Sequence, residues 1–243
     1  PDDRPTGAVV ATGDNNGNTT GDESCRTFMY DAWNRLVRKS DSPVHCYDYD
    51  ALGRLISQAP DGAYGSSELY YSQDWQVIED QRVECGVGMI KSQYVWSLGF
   101  VDDMILRDRN ADMNMATGNF GKPGSGLEER MYALNDANFN TTALASVSGT
   151  LVERYMYDPY GSFTVMEEDW DTRATSSYAW LHLHQGGWYD QYSATYQFRN
   201  RIYSPTLGRW LQQDPMGYVD GMNLYECVHS IPATSVDPSG LWG

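Results

Sequence analysis

Apolar and polar positions alternate with a period of two along much of the chain, the spacing of a strand whose two faces meet different surroundings. Tyr47-Asp48-Tyr49-Asp50 shows the pattern most plainly, and Tyr155-Met156-Tyr157-Asp158 keeps the same Tyr-x-Tyr-Asp spacing. Asp, Asn and Gly follow such stretches and supply turns, because they tolerate left-handed backbone or bond to it locally. Glu68–Ser72 with Trp75–Glu79, and Gln93–Ser97 with Met104–Arg107, are each predicted to form a hairpin. Arg130–Leu134 and Leu151–Tyr155 flank a further turn, and residues 115–127 read as a mobile loop. Helix is expected only in short pieces, around residues 166–180.

The pattern also repeats. Tyr30-Asp31-Ala32-Trp33-Asn34-Arg35-Leu36-Val37 returns 19 residues later as Tyr49-Asp50-Ala51-Leu52-Gly53-Arg54-Leu55-Ile56. Looser copies start at Asp136 and Tyr155, and Asp14–Thr20 reads as the tail of an earlier one. Each unit is a strand, a turn and a returning strand. One hairpin cannot bury its own apolar face, so such units must pair side by side.

Composition sharpens this picture. Eighteen Tyr and eight Trp against six Phe favour half-buried sheet surfaces, and 23 Gly favour many turns. A net charge of −16 argues against nucleic acid or anionic lipid as a partner. No run of 18 apolar residues offers a membrane-spanning helix. Pro1-Asp2-Asp3-Arg4 does not read as a natural start, so a processed chain or a fragment is expected. Cys25, Cys46, Cys85 and Cys227 contain no Cys-x-x-Cys pair, which excludes a zinc ribbon. The alternatives are one or two disulfides, with Cys25–Cys46 as the candidate pair, or free buried thiols.

Several motifs have candidate chemistry. Asp108-x-Asn110-x-Asp112-x-Asn114 presents oxygen ligands at alternate positions, as Ca²⁺ requires, and Asp102, Asp103, Glu128 and Glu129 could add carboxylates. The run lacks the sixth-position Gly and twelfth-position Glu of a calcium-binding loop. Asp108, Asn110 and Asp112 are the candidate metal residues, and no other cofactor is implied. His182-x-His184 would share one strand face, as a metal pair needs, but no third ligand is near and Trp180 and Trp188 favour aromatic packing. Asn18-Thr19-Thr20 and Asn140-Thr141-Thr142 fit the N-glycosylation acceptor and read as surface positions. Tyr47, Tyr49, Tyr70, Tyr71, Tyr94, Trp96, Tyr155 and Tyr157 would make either a glycan-binding strip or, the favoured reading, cross-strand pairs.

The last residues are the most specific. Gln197-Phe198-Arg199-Asn200-Arg201-Ile202-Tyr203-Ser204-Pro205 leads into Gly208-Arg209-Trp210-Leu211-Gln212-Gln213-Asp214-Pro215, then Asn223-Leu224-Tyr225 and Val236-Asp237-Pro238-Ser239-Gly240-Leu241. This string resembles the core-associated motif of the RHS/YD-repeat family, and Tyr49–Ile56 resembles its repeat. The resemblance runs from about residue 14 to residue 241. It implies β-ribbons wound into a hollow shell that commonly encloses a toxic C-terminal segment, with the motif plugging one end.

In several members the motif also cuts the chain after Asp-Pro-x-Gly-Leu, by chemistry that resembles an aspartic protease. Carried over, the scissile bond is Leu241–Trp242, with Asp214 as the leading carboxylate, Asp220 as the second and Arg209 as their tuning partner. Ser204 and Gln213 depart from the family pattern, which has Asp and Arg there, and Asp-Pro steps also serve as plain turns.

The expected fold is all-β: a curled antiparallel sheet of YD hairpins, shell- or solenoid-like, with a C-terminal core-motif cap. The expected division is repeats over 1–165, a connecting segment over 166–196 and the motif over 197–243. The expected role is structural, as the end of a toxin-enclosing container or as an extracellular, bacterial assembly subunit that self-associates through sheet edges. Any enzymatic activity is at most autoproteolytic, releasing a C-terminal effector. An adhesion or glycan-binding fragment is the remaining alternative. The implied partners are other shell segments and a C-terminal toxin cargo.

Overall fold

The computed structural model describes residues 11–241 apart from 23, 41, 63–64, 116–117, 121–125 and 220. A first hairpin pairs β1 (Thr12–Gly13) with β2 (Thr19–Gly21). Thirteen antiparallel strands then follow one another in chain order as a single meander. They are β3 (Phe28–Tyr30), β4 (Leu36–Lys39), β5 (His45–Tyr49), β6 (Leu55–Pro60), β7 (Gly65–Tyr71), β8 (Val77–Glu84) and β9 (Val87–Trp96). The run continues with β10 (Met104–Arg109), β11 (Glu129–Asn135), β12 (Thr141–Ser146), β13 (Leu151–Tyr157), β14 (Phe163–Met166) and β15 (Thr172–Arg173). A second, four-stranded sheet contains β16 (Trp188–Asp190), β17 (Thr195–Gln197), β18 (Ile202–Ser204) and β19 (Arg209–Trp210). The all-β expectation holds.

The repeat motif has a clear physical function. At most of the repeat corners an aspartate closes the turn: Asp50 Oδ1 accepts the N–H groups of Leu52 and Arg54, and its Oδ2 accepts Arg54 Nε at 2.7 Å. Asp31 with Arg35 and Asp22 with Arg26 do the same. Ser72 Oγ takes that place in the corner before Gln76. Burial works upward on the Asp50 carboxyl, but the N–H groups and charge of Arg54 outweigh it and hold it below its ordinary value. The fourth corner residue is left-handed whether or not it is glycine: Asn34 at φ 61°, Gly53 at 88°, Trp75 at 61° and Phe139 at 60°. The ladder slips by one residue at several of these corners, the mark of a bulge.

Corner tyrosines tie successive hairpins together. Tyr49 donates to the carbonyl of Leu36, Tyr71 to that of Leu55 at 2.6 Å, and Tyr157 to that of Thr141. Trp96 Nε1 takes the same place toward Val77. The guanidinium of Arg35 lies 4.9 Å over the Tyr49 ring and that of Arg54 lies 5.3 Å over Tyr71.

The sheet curls around the small one. Strands β5 and β13 stand eight places apart, about 40 Å in a flat sheet. Yet Tyr47 on β5 donates to Asp190 on β16 at 2.5 Å, while Tyr196 on the neighbouring β17 donates to the carbonyl of Gly161, in the corner after β13, at 2.8 Å. The inward faces meet in two clusters. Phe28, Leu36, Leu55 and Val77 pack with Trp188, Ile202 and Leu211. Met104, Met131, Leu144 and Tyr155 pack with Trp180, Leu183, Tyr203 and Trp210.

Three expectations are corrected, and a fourth falls largely outside the described residues. No α-helix occurs among the described residues, and 166–180 holds another corner, closed between Glu167 and Asp171, and the short β15. The cysteines are all free: Cys25 is at an exposed corner, whereas Cys46 lies mid-sheet in β5 opposite Arg38 and Ala59. Asn18 and Asn140 are buried, with their amides donated to Asp14 and Asp136, so neither is a surface acceptor. Within 115–127, residues 116–117 and 121–125 lie outside the described set.

His182 and His184 sit between the sheets. His182 meets the rings of Tyr94 and Trp96 edge-on at 5.3 and 5.1 Å, and His184 Nδ1 is 2.8 Å from Asn140 Oδ1. Gly161 makes room for the His184 ring, since a Cβ there would lie 2.5 Å from its Cδ2. Burial pushes both imidazoles down to about 4, against an ordinary value of 6.5.

Two predictions follow from this packing. Tyr71→Phe removes one inter-hairpin bond and should lower unfolding free energy by about 1 kcal/mol, and Asp50→Ala by about 1–2 kcal/mol, measured by urea denaturation. A loss near zero in both would mean that the corners are not held this way. Because the buried histidines stay neutral while the unfolded chain binds protons near 6.5, their contribution is complete above that pH and is lost on acidification toward 4. The unfolding free energy should fall between pH 6.5 and 5 by up to about 1.4 kcal/mol per pH unit for each histidine. The His182→Gln, His184→Gln double variant should flatten that slope; an unchanged slope would assign it to other groups.

Candidate functional site

Arg201 occupies the centre of the C-terminal motif. It is 1% exposed, and its guanidinium lies 4.3 Å over the Trp210 ring. Asp214 Oδ2 is 2.9 Å and Asp237 Oδ2 is 3.5 Å from its Nη2, so one nitrogen gathers carboxylates from two separate Asp-Pro steps. Burial pushes this guanidinium below its ordinary value, and the two carboxylates oppose that. Buried charge of this kind persists only when paired and hydrogen-bonded.

Residues 238–240 are held here by a one-to-one register. Arg199 Nη1 donates to the carbonyl of Pro238, Asn200 donates through both its N–H and its side chain to that of Ser239, and Arg201 Nε donates to that of Gly240 at 2.5 Å. Asp237 Oδ1 accepts the N–H groups of Ser239 and Gly240, closing a tight turn. Gly240 sits at φ +67° with its Cα against the backbone of Arg201, where a Cβ would stand 3.1 Å from that nitrogen. Three successive donors therefore fix three successive carbonyls immediately before Leu241.

The residues expected from sequence are divided by the structure. Asp214 lies in the buried cluster, with its Oδ1 accepting the N–H of Met216 at 2.7 Å. Arg209 points elsewhere: it donates to Thr19 Oγ1 at 3.3 Å and stacks on Tyr225. Asp220 and Trp242, hence the far side of the expected scissile bond, lie outside the described residues. The arginine and second carboxylate brought to Asp214 are Arg201 and Asp237. Both stand within the matched motif strings, but no local spacing marks them, because the cluster joins positions 13 and 23 residues apart. Ser204 is buried and caps a turn by accepting the N–H of Leu207, a task its departure from Asp leaves intact. Gln213 lies beside Gly17 of the first hairpin. Burial pushes the Cys227 thiol up to about 12, which removes it as a nucleophile.

The other candidates have partners within the fold. Both oxygens of Asp108 accept Arg130, at 2.7 and 2.8 Å, while Asn110 Oδ1 and Asp112 Oδ1 accept the N–H of Asn114. Among the described residues no three His, Cys, Asp or Glu side chains stand together as a metal site. Of the eight aromatic residues considered as a glycan strip, Tyr70 alone is exposed, and most of the others spend their polar atom inside the fold.

No family model matches the chain. It is 33% identical over 220 residues to toxin subunit YenC1 of Yersinia entomophaga, an alignment covering 82% of this chain and 22% of YenC1. It is 29% identical over 122 residues to toxin subunit YenC2 of the same organism, covering 50% of this chain and 12% of YenC2. The chain thus spans less than a quarter of either relative. Among solved structures, the TcdB2–TccC3–Cdc42 complex superposes with a TM-score of 0.67 at 19% identity, over 93% of this chain and 10% of that one. Both of these relatives are toxin subunits, and the fold of the chain is the one found in the TcdB2–TccC3–Cdc42 structure.

The Arg201 cluster makes its own prediction. Arg201→Met strands two buried carboxylates without a counter-charge and should lower unfolding free energy by about 3–5 kcal/mol. A urea-measured loss below about 1 kcal/mol would mean that water already screens the site.

Proposed function

We propose that this chain is the wall and end-plug of an RHS-type container in a bacterial toxin assembly, and that the plug is a self-cleaving module. The observation that carries this reading is a buried arginine, enclosed by the curled sheet, that gathers Asp214 and Asp237 beside the docked segment 237–241. That two of its relatives are toxin subunits supports it. On this reading the protein works outside the cell that makes it, beside other shell segments and a cargo joined after Leu241. Further hairpins, from the same chain or another copy, would pair at the open edge formed by β15.

The chemistry is hydrolysis of the Leu241–Trp242 peptide bond by water. Asp214 takes a proton as the water oxygen bonds to the Leu241 carbonyl carbon, then returns it to the Trp242 nitrogen as the carbon–nitrogen bond breaks. Arg201 holds Asp214 and the Gly240 carbonyl in one frame, and the Asp237 turn presents the bond. Fixing the reacting groups in this way holds them near the geometry of attack and lowers the entropic cost of the reaction.

The test is the full chain with a reporter domain fused after Gly243, followed by intact mass. The unaltered protein should break after Leu241, and Asp214→Asn should stay whole. A whole unaltered protein, or an Asp214→Asn variant cut equally fast, would overturn the self-cleaving reading.

A further inference from the structure

The clamp on the chain end has two anchors of different origin. Arg201 is anchored by Asp214, within the C-terminal motif. Arg199, which donates to the Pro238 carbonyl, is anchored by the large sheet: Asp102, in the corner between β9 and β10, accepts it with both oxygens, at 2.7 and 3.1 Å. Asp102 is 7% exposed. Its corner is fixed from two sides. Gln76 of the preceding hairpin donates to the Val101 carbonyl at 2.8 Å, and Phe100 stacks on Phe139 of a later one at 3.8 Å. From the segment that precedes the motif, Gly186 presses on the Asp102 backbone, where a Cβ would lie 2.4 Å from its carbonyl oxygen.

An arginine fork paired at both nitrogens with a rigid carboxylate has little freedom left. Arg199 without Asp102 would keep its charge but lose its direction, and the first carbonyl of the three would be held by a mobile side chain. We infer that Asp102 is a positioning residue for cleavage at Leu241, acting through Arg199 on the Pro238 carbonyl. The inference rests on the self-cleaving reading above. Its consequence is an order of events. The motif contains the Arg201 cluster but borrows one anchor from the wall, so water-dependent cleavage waits until the β9–β10 corner has closed over the motif. A cargo would then be cut free only after this part of the wall has folded around the motif.

The test uses the full chain with the reporter fused after Gly243. Asp102→Ala should slow cleavage about tenfold or more, with folding verified by the near-ultraviolet signal of its tryptophans. Asp102→Asn keeps an oxygen for the fork and should recover part of the rate. Asn138→Ala removes a different wall-to-motif bond, the one to the Pro232 carbonyl at 2.7 Å, and should cleave at the unaltered rate. A second readout needs no cleavage. In the uncut Asp214→Asn background, Asp102→Ala should speed deuterium exchange across residues 236–241 about tenfold, since a loosened clamp opens more often.

A folded Asp102→Ala variant with unaltered cleavage or unaltered exchange would overturn the inference while leaving self-cleavage standing. If Asp102→Ala fails to fold, Arg199→Lys is read in its place, since it keeps the charge and loses the fork; an unaltered rate would again overturn the inference. A parent chain that never cleaves takes both down.

Discussion

Each hairpin of the large sheet leans on the one before it through a side-chain proton that ends on a backbone carbonyl, and the rest of the architecture depends on that tie. Tyr49, Tyr71, Trp96 and Tyr157 all make it. A carbonyl buried at a strand end would otherwise lack a partner, at a cost comparable to the bond itself. The tyrosine ring covers the apolar side of the corner while its hydroxyl satisfies the polar side, which no aliphatic residue does. The arginine of the preceding corner then lies over that ring, with its charge answered by the corner aspartate.

Because these ties fall on the inward side, the sheet carries the tying aromatic rings on one face, against the two core clusters. A meander of thirteen strands with one apolar face must cover it, and the C-terminal sheet does so. The covering sheet then lies in low dielectric, where Arg201, Asp214 and Asp237 hold each other far more firmly than they would in water. The same enclosure holds His182 and His184 neutral and Cys227 protonated. A buried, charged cluster at the end of a chain is costly. Here it is paired with three successive backbone carbonyls, those of residues 238–240, held in a turn closed by Asp237.

Much of the sheet was legible without coordinates. The Tyr-Asp corners at residues 30–35 and 49–54 carry their Arg, so turn, bulge and returning strand are all written locally. The corners at Asp136 and Asp158 were harder to read because Asn140 and Ser162 replace the arginine, although the aspartate still closes the turn. The segment 166–180 was misread as helical: its strands are too short to show a period, and its corner uses Glu167 with a left-handed Trp170 in place of Asp and Gly. Asn18 and Asn140 looked like surface acceptors because a three-residue motif says nothing of burial.

What the sequence determined by itself is the hairpin: a turn residue, a strand period and a salt-bridged corner within a few positions, all local terms that need no third dimension. It also determined that Asp214 and Asp237 stand in Asp-Pro steps. Tertiary structure alone decided which arginine answers them. Arg209 is nearer to Asp214 along the chain, yet it faces Thr19 and Tyr225, because β19 turns its side chain toward the first hairpin. Arg201, buried on Trp210, reaches both carboxylates, and Asp102 reaches the site from a strand corner 97 residues away from Arg199. Charges that distant are brought together only by the closing of the sheet, since a strand's direction is local but its neighbours across a curled interior are not.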